Sequence, residues 1–111
     1  MKNPAKIIVA LVVMGLTGLL VCSRIVTRYE KAFALTVNGD ERSAVLLQFG
    51  PPSVREPQGK PFLRYATEGC SSPCFERLWW EHPLLKWIEA WSVTLDEKQR
   101  VIDKTHWAAL R

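Results

Sequence analysis

The rhythm of apolar and polar positions changes several times along the chain. From Ile7 to Cys22 there is no charged residue, an apolar run of about 24 Å if helical, slightly short of a bilayer core of about 30 Å. Extension to Val26 gives a full span and includes Arg24, whose long side chain reaches an interface. From Ser23 to Leu35, Ile25, Tyr29, Ala32 and Phe33 fall near one helical face. This predicts a first short helix, either separate or directly prolonging the membrane segment. Thr36-Val37-Asn38-Gly39 then reads as a turn.

The stretch Gly39 to Pro52, GDERSAVLLQFGPP, predicts a second short helix. Asp40 is the expected N-cap, Val45, Leu46 and Phe49 form the buried face, and Gly50 with Pro51 and Pro52 ends it. Ser53 to Pro61 reads as a surface loop. Phe62-Leu63-Arg64-Tyr65-Ala66 is the expected first strand. Trp91, Val93 and Leu95 alternate with Ser92 and Thr94, Asp96 to Gln99 supplies a polar turn, and Arg100 to Trp107 returns. These two segments predict a β-hairpin. The expected fold is α+β: an N-terminal transmembrane helix, then two short helices packed on a three-stranded antiparallel sheet. Residues 1–26 form the anchor and residues 27–111 one domain outside the cytoplasm.

Composition narrows the function classes. The net charge of +4 is partly a targeting effect, since 13 basic and 11 acidic residues remain after Lys2 and Lys6. No basic block with interleaved aromatics suggests a nucleic-acid surface. Residues 7–26 meet the membrane as an uncleaved anchor in the preferred reading. The alternatives are a signal cleaved at Val21-Cys22-Ser23, or lipidation at Cys22 in a loose lipobox. Flanking charges leave the orientation undecided. Cys70 and Cys74, four apart in GCSSPC, suit a disulfide in an oxidising compartment, so the domain is expected in the periplasm.

Gly39, Val45, Phe49, Gly50 and Pro52, then Phe62 and Tyr65, then the hairpin from Glu89 to Trp107, resemble the BamE (SmpA/OmlA) family of small envelope lipoproteins. The resemblance covers residues 29–107. It implies two helices on a three-stranded sheet, and an accessory or scaffold role in an envelope or membrane protein assembly. Against that pattern, Cys70 to Trp87 reads as an insertion between the first and second strands.

This segment carries Phe75, Trp79, Trp80, Leu84 and Trp87, a candidate surface for docking another envelope or membrane protein. Trp79 and Trp80 cannot both point inward on a strand with one covered face, so the pair is expected to be part of that surface. For Trp87, completing a small core is the favoured reading. Cys70 and Cys74 have a second reading, as the site of a membrane-tethered thiol-redox or copper-handling assembly factor. C-x-x-x-C with a distant histidine, His82 or His106, resembles the copper-binding motif of the Sco family, and thiolates with an imidazole suit Cu(I). The disulfide is preferred, so no cofactor or metal is expected. No nucleophile–base set or phosphate loop points to catalysis, and an enzyme is not expected.

Overall fold

The computed structural model describes residues 3–109. Helix α1 runs unbroken over Pro4–Leu35. Asn3 caps its start by accepting from the Ala5 amide at 3.0 Å, and Pro4 stands where no N–H is needed. At 1.5 Å per residue α1 is about 48 Å long, which makes the molecule elongated, 63 × 27 × 25 Å. It is one helix long and apolar enough to cross a membrane. The expected junction at residues 26 and 27 therefore lies inside a helix, and the first short helix is the end of α1. There Val26, Tyr29, Ala32 and Phe33 pack on the sheet, at the spacing of one helical face. Lys104 closes the helix by donating to the Phe33 carbonyl at 2.6 Å.

Helix α2 spans Arg42–Phe49 and buries Val45 and Phe49. Its N-cap is Glu41, without a side-chain hydrogen bond. Asp40, the expected cap, instead accepts from the Val37 amide at 3.0 Å and closes the turn before the helix. Gly50 ends α2 at φ 88°, a conformation that side chains disfavour. Arg28 of α1 donates to the Gln48 and Leu47 carbonyls at 3.0 and 3.2 Å. These are orphan acceptors at the negative end of α2, so one cation satisfies them and ties the two helices together.

The sheet has four strands, β1 Val54–Pro57, β2 Glu76–Glu81, β3 Glu89–Leu95 and β4 Val101–Ala108, antiparallel in the order β1-β2-β3-β4. Three corrections to the sequence reading follow. Phe62 to Ala66 is a loop, and the edge strand lies in the segment expected to be a surface loop. The sheet has four strands rather than three. The segment read as an insertion contributes β2, which pairs along its whole length with β3.

The hairpin β3–β4 forms where expected. Its turn is set by Asp96, whose carboxylate accepts from the Lys98 and Arg100 amides at 2.9 and 3.0 Å. The pairing register shifts between Thr94 and Leu95, so Asp103 faces Thr94 but Val101 faces Leu95. Ile102 is the extra residue, and this bulge turns Val101 onto the helix side. It accounts for the weak alternation of β4.

Both faces of the sheet are covered. On the helix side Leu78, Trp80, Trp91, Val93, Leu95 and Val101 meet Ala32, Val45 and Phe49. On the other, Trp79 and Ala90 lie under Tyr65, with Phe62, Ala66, Val54 and Trp107 around them. The long loop between β1 and β2 forms this third layer.

Candidate functional site

The loop layer is organised by one carboxylate. Glu56 on β1 is buried and accepts from the Phe62 and Cys70 amides at 3.1 and 2.9 Å, from Trp79 Nε1 at 2.9 Å and from Arg77 Nε at 2.7 Å. Burial raises its pKa, but the hydrogen bonds from Arg77, Trp79 and the two amides outweigh it and hold the carboxyl below the usual range. Glu76 is treated alike, with burial opposed and overcome by Arg55 and Arg42. These are structural uses of charge: every acceptor position faces a donor from the fold.

Cys70 and Cys74 form a disulfide, with Cα atoms 5.3 Å apart, and both are buried. The bond closes a tight loop next to the Cys70 amide that Glu56 holds. Replacing both by serine is expected to lower stability by about 2 kcal/mol, the loop-entropy value for so short a ring. The domain should stay folded, with a lower urea midpoint read from tryptophan emission, and reductant should leave the variant's midpoint unchanged.

The histidines serve elsewhere. His82 Nδ1 accepts from the Leu84 and Leu85 amides at 3.2 and 3.1 Å. His106 Nε2 lies 2.7 Å from Glu89 Oε2, and its ring stacks on Trp91 at 5.2 Å. Among the described residues, no group of three or more His, Cys, Asp and Glu side chains is arranged to hold a metal ion.

The expected docking tryptophans are in the interior. Trp79 and Trp80 are 1 % and 0 % exposed. Alternation does send them to opposite faces, but both faces are covered, so neither is a surface residue. Trp80 stacks on Phe49 at 4.1 Å and donates to the Gly50 carbonyl at 3.1 Å. Trp79 meets Phe62 edge-on at 5.8 Å. Trp87, read as core, is 66 % exposed, and Leu84 and Phe75 are exposed at 61 % and 48 %.

Leu84 and Trp87 lie on the β2–β3 loop, and sequence reasoning missed what fixes that loop. Tyr65 from the covering layer hydrogen-bonds the Glu81 carboxylate and the Lys86 carbonyl. Arg64 binds Glu81 at 2.6 Å and lies over the Trp87 ring at 4.3 Å. Burial and the Glu81 carboxylate push the Tyr65 phenol up to about 12, so it stays a donor at every physiological pH. Phe75 precedes β2, and its amide donates to the Leu95 carbonyl at the opposite end of the sheet. Apolar side chains expected to form one docking surface thus divide between two ends.

A groove of about 400 Å³ follows α1 beside α2, lined by Arg24, Thr27, Arg28, Lys31, Leu35 and Gln48 among others. It begins at Ser23, directly after the uncharged run. Compared with known families, curated proteins and solved structures, the chain matches none.

Proposed function

We propose that this protein is a membrane-anchored scaffold, an accessory subunit that binds another membrane protein of the cell envelope. In this reading residues 7–26 are retained in the inner membrane and the domain lies in the periplasm, an oxidising compartment that suits the Cys70–Cys74 disulfide. The observation that carries the proposal is the continuity of α1 from the apolar run into the sheet core. With no linker, the domain has a fixed height and heading relative to the bilayer, which is what a scaffold needs and a freely tethered domain lacks.

The groove along α1 is the favoured contact. A partner segment leaving the bilayer beside α1 enters it at Ser23 and passes Arg24, Arg28 and Lys31, so the chemistry suits an acidic juxtamembrane segment. Phe75, at the end of the sheet opposite the β2–β3 loop, offers a second apolar contact. A photoreactive residue placed at Leu35 in intact cells should give one discrete adduct with a membrane protein. Reversing Arg24 and Lys31 to glutamate should abolish it while the domain remains folded. Adducts with lipid or with the chain itself alone, from Leu35 and from Phe75, would refute the scaffold reading.

A further inference from the structure

We propose that the β2–β3 loop, residues 82–88, is a second membrane contact, with Leu84, Leu85 and Trp87 seated in the bilayer interface beside α1. The proposal rests on the reading that α1 remains in the bilayer. Its basis is the direction of β4. The strand begins beyond the end of α1, where Val101 exchanges backbone hydrogen bonds with Gly39 and Asp40. It then passes Phe33, whose ring is 6.1 Å from His106, while Trp91, paired with His106, lies 5.3 Å from Tyr29. β4 therefore runs back along α1 toward the apolar run. Three residues further, the Ala109 amide donates to the Ile88 carbonyl at 2.8 Å. That is about 10 Å of strand, equal to about seven residues of helix. Counted from the Tyr29–Phe33 level, Ile88 stands near Arg24, the first charge after the run, and the loop tip lies beyond it.

The tip has the chemistry of that depth. Leu84, Leu85 and Trp87 are 61 %, 51 % and 66 % exposed, an apolar group that a soluble surface would not favour. Tryptophan beside lysine is the composition of the headgroup region, where an indole sits at the boundary and the Lys86 ammonium reaches water. The backbone is prepared as well. The Leu84 and Leu85 amides are taken by His82, the Ile88 amide by the Leu85 carbonyl, and the Lys86 carbonyl by Tyr65. Internal satisfaction of polar groups is the condition for placing irregular backbone against lipid.

The test uses the full chain reconstituted in vesicles of phosphatidylcholine and phosphatidylglycerol, with shallow-brominated phosphatidylcholine as quencher. All five tryptophans lie outside α1, so lipid quenching reports on the domain. Wild type should show bromolipid quenching that is lost in Trp87→Phe, while the interior Trp79, Trp80 and Trp91 stay shielded from acrylamide in both proteins. Leu84→Ser combined with Leu85→Ser should expose Trp87 to acrylamide while the buried tryptophans keep their native emission. If the protein resists alkaline extraction yet Trp87 is unquenched by bromolipid and open to acrylamide, the anchor stands and the loop proposal is overturned, leaving the loop to a protein partner. If alkali extracts the protein, the anchor reading fails and the proposal with it.

Discussion

Trp80→Ala is expected to destabilise the domain by about 3–5 kcal/mol, the range for deleting a large aromatic from a closed core. The ring is fully buried, stacks on Phe49 and bonds the Gly50 carbonyl. Its loss empties the space between α2 and the sheet and leaves an acceptor at the helix end to find water. Trp79→Ala should cost a similar amount through the other face, because it removes the floor under Phe62 and Tyr65 and a donor to Glu56. Trp87→Ala, by contrast, should change stability by no more than about 0.5 kcal/mol, as for other exposed substitutions. Urea denaturation of the detergent-solubilised chain separates the three. A small loss for Trp80→Ala, or a large one for Trp87→Ala, would reverse the assignment of interior and surface.

That contrast also marks where the sequence was legible. The apolar run, the Val45–Phe49 face, the Gly50 stop and the β3–β4 hairpin follow from local periodicity and turn chemistry, and they form as read. Trp79 and Trp80 were misplaced because one-sided sheets are the simplest expectation for so short a chain, and a second covering layer made of loop has no periodic signature. The same layer hid β1. Val54-Arg55-Glu56-Pro57 reads as polar loop because Glu56 is the inward residue, and only its donors, up to 23 positions away, make that tolerable. Phe62 and Tyr65 were recognised as apolar and structural, but their work is to cover the sheet rather than to extend it. Asp40 was a sound cap by residue type, and the Val37 amide competed for it successfully. The β2–β3 loop was visible in sequence as an aromatic cluster. Its place at the end of the sheet that β4 reaches by running back along α1 depends on strand direction, which no local pattern reveals.

Removing Glu56 should be as costly as removing a core tryptophan, for a different reason. The carboxylate balances Arg77 and satisfies Trp79 and two loop amides within a layer that excludes water. Glu56→Ala leaves Trp79 and the two amides without their acceptor and Arg77 with the Glu68 carbonyl alone, and breaking one side of such a buried pair costs about 3–5 kcal/mol. Part of that is the stranded Arg77 charge, so adding Arg77→Met to Glu56→Ala should restore some stability instead of lowering it further. The acid limb of the stability profile gives an independent check. Because the folded-state pKa of Glu56 is held below the ordinary 4.5, its contribution is complete above that value and is lost as pH falls through the lower, folded value. Wild type should therefore lose stability steeply below about pH 4.5, and Glu56→Gln should start from a lower plateau with a shallower slope in that window. Glu76, depressed in the same direction by Arg55 and Arg42, supplies the slope that remains. An unchanged acid slope in Glu56→Gln would mean that the loop layer is held by its aromatic contacts alone, and that the carboxylate beneath it is incidental.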